Sequence, residues 1–479
     1  MKTRTPKIAG SWYPASAEAI EAMLPEEPAG PVLPHPAAIV VPHAGYAYSA
    51  DVAAAAYSRL PAAEYDKVII LAPSHCVAMR RSFSVEPAAD VATPFGTVSF
   101  PAELHDALAA LPGARYVPAA HPGEHAIDIQ LPLIKRYLPH CAVGGLVVGE
   151  WNARLPEDAE MLRAFAKEFR KIVDKKTLVV VSSDFTHYGR SFGYIPFRDN
   201  VQERLRALDG EMVEALSKND PLAWSDALAR TGATVCGASP LLLLLAALPE
   251  EARFEQLAYA TSGEKTRDWS HVVSYAALAV FADWSAPLKA APAAEALPGA
   301  LSGEAGAALV RIARRSLRAA VAGEKAEEEA LPAAVKKELA SCRGAFVTLT
   351  ENGDLRGCIG RIVPDGPVER VVREMAAAAA LEDTRFFPVG PEELDKIEVE
   401  VSVLTPPKEI AGPEEIVLGR DGVILFKHGR SAVFLPQVAP EQGWDLETTL
   451  SQLSRKAGLP PDVWRSGARF ETFQAQIFR

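Results

Sequence analysis

Residues 37–46 read AAIVVPHAGY, a continuous apolar run that ends in proline and histidine. Two later stretches have the same form, KVIILAPSHC at 67–76 and TLVVVSSDFTHYG at 177–189. Runs of this length, rich in valine and isoleucine, are typical of strands that are buried on both faces of a sheet. These three stretches predict the inner strands of an α/β sheet.

Helical patterns separate the apolar runs, as an α/β fold requires. The stretches with helical character are 49–60, 102–110 and 156–173, and the further strand candidates are 142–148 and 271–280. We therefore predict an α/β domain whose sheet is largely parallel.

Each of the three quoted runs leads into a histidine: His43, His75 and His187. In an open α/β sheet the ligand site lies beyond the carboxyl ends of the strands, and neighbouring strands are about 4.8 Å apart. A single histidine at a strand end is more often structural. Three of them indicate a common pocket.

A thiol can join these histidines. Cys236 lies in TVCGASP (234–240), just before the leucine-rich run 241–248. With Ser239 as N-cap and Pro240 in the first turn, a helix is predicted to begin there, and its positive end would favour a thiolate at Cys236. The alternative is a small cysteine in the core beside an apolar helix.

Two imidazoles and one thiolate, far apart in sequence, differ from the short paired spacings of structural zinc sites. Such a set accepts one copper or iron ion, and zinc remains an alternative. Asp184 and His187 would support the site as outer neighbours of the ligands or as an acid–base pair. His125, beside Glu124, would either enter the cleft or order a loop.

Composition limits the functions open to the chain. Its 479 residues carry a formal net charge of −11, which offers no basic footprint for nucleic acid. The longest apolar run, 241–248, is far shorter than the ~20 residues that span a bilayer. Five cysteines do not suggest a disulfide framework, and the opening MKTRTPKIAGSWYP has no continuous apolar stretch. We expect a cytoplasmic protein without membrane or nucleic-acid partners.

An Ala/Pro/Gly-rich stretch, 285–302, is predicted to be a linker between a first domain, 1–284, and a second domain, 303–479. The second domain shows an amphipathic helix at 304–321, a hairpin around Asn352-Gly353, an alternating strand at 397–404 and a helix at 446–457 capped by Asp445. Hairpins mixed with helices predict a smaller α+β domain.

The first domain resembles the Memo family over nearly its whole length. The matching motifs are AGSWYP (9–14), HAGYAYS (43–49), EH (124–125), SDFTH (183–187), CG (236–237) and SG (262–263). The resemblance implies a fold similar to class III extradiol dioxygenases, with His43, His75 and Cys236 as metal ligands and Asp184 and His187 beside them.

Those dioxygenases bind iron through two histidines and a glutamate. A cysteine at the third position implies copper or iron redox chemistry rather than ring cleavage. Tyr46, Tyr48 and Phe185 lie near the motif residues in sequence and are expected to contact a substrate or to support the ligands.

The second domain resembles the AMMECR family through LRGCIG (355–360), DTRF (383–386), VSVLTPP (401–407), LPQVA (435–439) and GWD (443–445). The pair of modules resembles components of the AmmeMemoRadiSam system, which implies a radical SAM protein as partner. Within LRGCIG, Arg356 and Cys358 share one face of a strand, so the guanidinium could lower the pKa of the thiol. The alternative is a small buried residue in a tightly packed hairpin.

The leading hypothesis is a metal-dependent redox protein, dioxygenase-like or oxidase-like, acting on a small molecule or peptide. A second hypothesis is a scaffold that binds a ligand or peptide without turnover. A third is an assembly factor for the radical SAM partner.

Overall fold

The computed structural model describes residues 3–28, 30–87, 89–289, 300–326, 329–351, 354–442 and 444–478. The chain divides into two compact units, Met1–Ala290 and Ala291–Arg479. Residues 290–299 of the predicted linker and the predicted turn at Asn352-Gly353 lie outside the described residues.

The first unit is built around one mixed sheet of eight strands, with a separate two-stranded ribbon formed by β4 and β5. Its strands are β1 Ala38–Val41, β2 Lys67–Pro73, β3 Phe83–Val85, β4 Asp90–Thr93, β5 Gly96–Ser99, β6 Ala142–Val148, β7 Thr177–Ser182, β8 His187–Gly189, β9 Arg253–Thr261 and β10 His271–Phe281. The order in the sheet is β3-β6-β2-β7-β1-β10-β8, and β9 pairs with β10.

The helices of this unit are α1 Ala17–Glu21, α2 Tyr46–Tyr57, α3 Ala102–Ala109, α4 Leu131–Tyr137, α5 Pro156–Phe169, α6 Val201–Ser217, α7 Pro221–Thr231, α8 Ala238–Ala247 and α9 Ser262–Thr266. Neighbouring residues of one strand belong to two different large apolar clusters. Val40 and Val179 belong to one cluster, and Ile39 and Val180 belong to the other. The sheet therefore carries a core on each face, as the continuous apolar runs predict.

The prediction of a largely parallel sheet is wrong at the edges. Strands β6, β2, β7 and β1 are parallel, whereas β3, β8 and β10 pair antiparallel with their neighbours. Strand β9 also pairs antiparallel with β10, because the connection between them passes only through the short helix α9. Strand β9 was not predicted because it is partly exposed and not continuously apolar.

The second unit consists of antiparallel sheets and helices, which confirms the α+β prediction. Its helices are α10 Gly303–Ala322, α11 Ala333–Leu339, α12 Val368–Leu381, α13 Val438–Gln442 and α14 Leu446–Lys456, and its strands are β11 Ala345–Glu351, β12 Asp354–Arg361, β13 Ile397–Leu404, β14 Lys408–Ile410, β15 Gly422–Lys427, β16 Arg430–Phe434, β17 Arg469–Phe473 and β18 Ala475–Phe478. The two four-stranded sheets have the orders β12-β11-β13-β18 and β14-β17-β15-β16.

The predicted cap of α14 is confirmed, because the carboxylate of Asp445 accepts a hydrogen bond from the backbone N–H of Thr448 at 2.7 Å. Across the described ranges, no helix combines the length and apolarity needed to cross a membrane.

Candidate metal centre

The carboxyl ends of β2, β7 and β1 lie side by side in the sheet, and His75 and His43 each follow two residues after their strand. Their rings are 5.1 Å apart between centroids. One ligand atom each from His43, His75 and Cys236 lies within 4.8 Å of the other two. The structure thus brings together the three residues that the sequence suggests as metal ligands.

His43 is held in one tautomer by a buried hydroxyl. The Ser182 hydroxyl donates to the carbonyl oxygen of Ala126 at 2.6 Å and accepts from the Gln130 amide at 2.9 Å. Its only hydrogen is therefore used, so Nδ1 of His43, 3.2 Å away, must be the donor in that contact. The proton sits on Nδ1, and the Nε2 lone pair of His43 is left for a ligand.

His75 is oriented by Glu124 in the same way. The Glu124 carboxylate accepts the His75 backbone N–H at 2.7 Å and its Nδ1–H at 2.9 Å, and the backbone N–H groups of His125 and Ala126 at 2.9 and 3.0 Å. Burial would raise the pKa of Glu124, but the hydrogen bonds from His75 and the backbone lower it to about 2. The carboxylate is ionised and fixes Nδ1 of His75, which leaves the Nε2 lone pair for a ligand.

His75, Glu124 and His125 form a second group whose ligand atoms lie within 4.8 Å of one another. Because Glu124 already accepts four hydrogen bonds, it acts here as the residue that orients His75. The group formed by His43, His75 and Cys236 is the better candidate for the ion.

His43 and His125 are both neutral. Burial, reinforced by the neighbouring histidines, lowers the pKa of each imidazole to about 3. A neutral imidazole is the form that binds a metal ion.

Cys236 lies against His187, with its Sγ 3.4 Å from Nε2. Nδ1 of His187 lies 3.0 Å from the carbonyl oxygen of Phe185 and 3.2 Å from that of Thr234, so it carries the proton. Burial, followed by the Asp184 carboxylate, raises the pKa of the Cys236 thiol well above its ordinary value. This direction is opposite to the predicted preference for a thiolate, because burial outweighs the helix terminus.

The helix after Cys236 begins at Ala238, with Gly237 at the N-cap. The predicted N-cap, Ser239, lies inside the first turn, where its hydroxyl accepts the backbone N–H of Trp151 at 3.0 Å. Cys236 still precedes the helix directly, as predicted.

Asp184 is buried behind the loop that carries His43. One carboxylate oxygen accepts the backbone N–H groups of His43 at 2.8 Å and of Ala44 at 3.3 Å. Burial raises the pKa of Asp184 to about 6, opposed by His187 and by these backbone donors. The contacts make Asp184 a support for the His43 loop, and its role with His187 as an acid–base pair stays a prediction.

The predicted aromatic neighbours separate into two kinds. Tyr46 and Phe185 are buried in the core, and the Tyr46 hydroxyl donates to the carbonyl oxygen of Ile129. Their role beside a substrate or behind the ligands stays a prediction. Tyr48 is 43% exposed, while the His125 ring stacks on His75 with centroids 4.7 Å apart.

Trp12 was not predicted as part of the site. Its ring lies 4.1 Å from that of His125 and is 39% exposed. It belongs to AGSWYP, a motif that the sequence shows but that no local pattern connects to His125, 113 positions away. Together Trp12, His125 and His75 form a continuous row of rings.

The donor set fits a transition metal. Two imidazole nitrogens and a cysteine sulfur suit copper, iron or zinc, whereas magnesium and calcium prefer oxygen ligands. Zinc is usually four-coordinate, so three protein donors would leave it one position for water or a substrate.

The LRGCIG motif of the second unit forms ion-pair and hydrogen-bond contacts rather than a candidate metal group. The Arg356 guanidinium donates to the Glu393 carboxylate at 2.7 and 3.0 Å and to the carbonyl oxygen of Phe387 at 2.9 Å. Burial raises the pKa of Cys358, although a hydrogen bond from Thr348 and the charge of Arg385 oppose it. The prediction that Arg356 lowers the pKa of this thiol is therefore wrong. In the described part of this unit, no three His, Cys, Asp or Glu side chains converge as a metal site.

Both parts of the chain match known protein families. Residues 4–279 match the family described as Memo-like protein, and residues 310–478 match AMMECR1. Protein Mbar_A1807 of Methanosarcina barkeri is 41% identical over 180 residues, which cover 36% of this chain and 89% of that protein. A protein of Methanothermobacter thermautotrophicus is 45% identical over 185 residues, covering 37% of this chain and 95% of its own length.

Among solved structures, uncharacterized protein PH0010 from Pyrococcus horikoshii is 40% identical, with a TM-score of 0.34, and the match covers 37% of this chain and 92% of that one. The fold and the site define a class of α/β protein with a His/His/Cys group at the strand ends. The chain belongs to the Memo-like family and carries an AMMECR1 domain after the Memo-like domain.

Proposed function

We propose that the first unit binds one copper or iron ion through His43, His75 and Cys236 and acts as a metal-dependent oxidoreductase, dioxygenase-like or oxidase-like. The observation that carries the proposal is the convergence of these three donors within 4.8 Å. Both histidines have Nδ1 occupied by a protein partner, which leaves Nε2 directed to a ligand. Zinc is the alternative metal.

A bound copper or iron ion would supply redox chemistry. The chain's own residues would prepare the site for it: Ser182 and Glu124 fix the two imidazoles, and Asp184 holds the His43 loop. Nε2 of His187, 3.4 Å from the Cys236 sulfur, is the nearest place to hold a proton beside the thiol. The fold likeness to extradiol dioxygenases belongs to this proposal as well.

The proposal includes a partner and a location. Because the chain joins a Memo-like domain to an AMMECR1 domain, we infer that it works in an AmmeMemoRadiSam-type system with a radical SAM protein. The substrate would be a small molecule or a peptide. A cytoplasmic location suits a ligand set that needs Cys236 as a free thiol.

A second candidate is a scaffold that binds a ligand without turnover, or that assembles the partner. The observation that favours it is the partly exposed ring of Trp12, which lies 4.1 Å from the ring of His125. Metal that stays bound without redox cycling, together with tight peptide binding, would favour this candidate.

The test is elemental analysis of protein purified without a metal-scavenging tag, beside Cys236→Ser and the control Cys342→Ser, an exposed cysteine of the second unit. We expect near-stoichiometric copper or iron in the wild type and the control, and loss of the metal in Cys236→Ser. No metal in the wild type after anaerobic loading would overturn the proposal and favour the scaffold.

A further inference from the structure

The loop that carries Cys236 has to reach a site whose other ligands lie some 160 to 190 residues earlier in the chain. It does so by binding to the segment that follows β7. Two contacts flank Cys236, one on each side, and both lead to residues between 183 and 187.

The contact before Cys236 is made by Thr234. Its hydroxyl accepts the backbone N–H of His187 at 2.9 Å and donates to the backbone carbonyl of the same residue at 2.7 Å. The carbonyl oxygen of Thr234 lies 3.2 Å from Nδ1 of the His187 ring. Thr234 therefore contacts the backbone N–H and the backbone carbonyl of His187, and also its ring.

The contact after Cys236 is made by Gly237. Its backbone N–H donates to the Ser183 hydroxyl at 3.0 Å, and that hydroxyl donates to the carbonyl oxygen of Asp184 at 2.8 Å. A Cβ added at Gly237 would lie 2.3 Å from the Cβ of Ser183. This close contact between Gly237 and Ser183 leaves the Cys236 loop little room to move.

We propose that Thr234 is a positioning residue that fixes Cys236 and the His187 ring relative to one another, and so determines how the sulfur is presented to the metal. This inference rests on the proposed function of His43, His75 and Cys236 as ligands. The carbonyl oxygens of Phe185 and Thr234, 3.0 and 3.2 Å from Nδ1 of His187, select the tautomer whose Nε2, 3.4 Å from Sγ of Cys236, carries the lone pair. The two hydrogen bonds of the Thr234 hydroxyl hold the Cys236 loop beside the backbone of His187.

Thr234→Val keeps the shape of the side chain but removes both hydroxyl bonds, whereas Thr234→Ser keeps the hydroxyl. A matched control exists at the start of β7. Thr177 is buried, and its hydroxyl donates to the Asp174 carboxylate at 2.9 Å and accepts the Asp174 backbone N–H at 3.1 Å. Thr177→Val thus also loses two hydroxyl hydrogen bonds, one donated to a carboxylate and one accepted from a backbone N–H, at the end of β7 opposite to Ser183.

The experiment titrates the full chain with Co²⁺ as probe and follows the sulfur-to-cobalt charge-transfer absorption, with the dissociation constant measured against a competing chelator. We expect Thr234→Val to bind Co²⁺ on the order of 10- to 100-fold more weakly, with a weaker or shifted sulfur band. Thr234→Ser should restore the band, and Thr177→Val should match the wild type in both measurements.

An unchanged band and dissociation constant in Thr234→Val would overturn the inference while leaving the ligand assignment intact. Equal losses in Thr234→Val and Thr177→Val would also overturn it, since the effect would then be general destabilisation. Should the valine variant not fold, Thr234→Ala takes its place with the same criteria. A wild type that binds no Co²⁺ would overturn the proposed function itself, and with it this inference.

Discussion

Two cysteines, one in each unit, lie next to glycines that have no room for a side chain. A Cβ at Gly237 would lie 2.3 Å from the Cβ of Ser183, and a Cβ at Gly357 would lie 2.3 Å from the carbonyl oxygen of Ala379. Cys236 nevertheless converges with two histidines from other strand ends, whereas the Cys358 sulfur accepts a hydrogen bond from Thr348. The difference shows that a candidate metal ligand is defined by the segments packed around it rather than by its local motif.

The largest effect that would sharpen this comparison is expected from Gly237→Ala. The added methyl group has to push the Cys236 loop away from Ser183, so metal binding should weaken by about 100-fold or more and stability should fall by about 1–3 kcal/mol. Gly357→Ala should destabilise the second unit and leave metal binding unchanged. Metal titration and thermal unfolding measure the two effects.

Gly210, inside α6, is the control, because a Cβ there meets nothing within 4 Å. Gly210→Ala should stabilise the chain by about 0.5–1 kcal/mol, since alanine is the better helix former. Wild-type metal affinity in Gly237→Ala would show that the close contact does not position Cys236.

The next effect concerns two paired carboxylates, Glu86 in the first unit and Glu393 in the second. Glu86 is buried and accepts from Arg4 at 2.6 Å and from His121 at 2.8 Å, whereas Glu393 pairs with Arg356 closer to the surface. Glu86→Gln should cost about 2 kcal/mol at neutral pH, because charged hydrogen bonds of this kind contribute about 1.5–3 kcal/mol. Glu393→Gln should cost at most about 1 kcal/mol.

The pH dependence of Glu86 follows from its pKa. Burial would raise this pKa, but His121 and Arg4 lower it below its ordinary value in the folded protein. Its contribution to stability is therefore present above the unfolded-state pKa, about 4.3, and is lost as the pH falls toward the folded-state pKa. Chemical unfolding between pH 7 and 3 should show a smaller loss in Glu86→Gln than in the wild type, and parallel curves would contradict this.

A third effect, of about 10-fold, is expected from Glu124→Gln. The amide keeps one acceptor oxygen but loses the charge that fixes the Nδ1–H of His75, and outer-neighbour substitutions of this kind typically weaken metal binding about 10- to 100-fold. Glu393→Gln, which contacts no candidate ligand, is the control in the same competition titration. Equal affinities in the two variants would mean that Glu124 does not orient the ligand.

The smallest effect is expected from Cys358→Ser. The sulfur contacts the Thr348 hydroxyl at 3.4 Å and belongs to no candidate metal group, so metal content should equal that of the wild type. Stability should change by about 1 kcal/mol or less. Metal loss in this variant would break the contrast between the two cysteines.

The strand ends show how far the sequence leads. Because parallel strands finish at one edge of a sheet, the apolar runs before His43 and His75 were enough to predict that these residues meet. The chain also signals the helix after Cys236, since an apolar run follows a proline. The antiparallel edge strands were less visible, as β9 lacks a continuous apolar run.

The supporting residues could not be predicted, for a physical reason. The Ser182 hydroxyl contacts His43 and is itself held by hydrogen bonds with Gln130 and Ala126. The partners in each of these contacts are at least 50 positions apart in the sequence. Such contacts depend on the rotation of individual side chains, which neither hydrophobic period nor spacing encodes. The same holds for Thr234, whose hydroxyl looks like any loop threonine until His187 is placed beside it.

The anchoring of the two candidate histidines bears on how the proposed ion would be taken up and released. The hydrogen bonds that orient His43 and His75 are made within the protein, to Ser182 and Glu124. Zinc fingers, by contrast, acquire their structure from the ion and unfold without it. On the proposed function, we expect the chain to stay folded when a chelator removes the ion, and the occupancy of the site would then follow the metal supply.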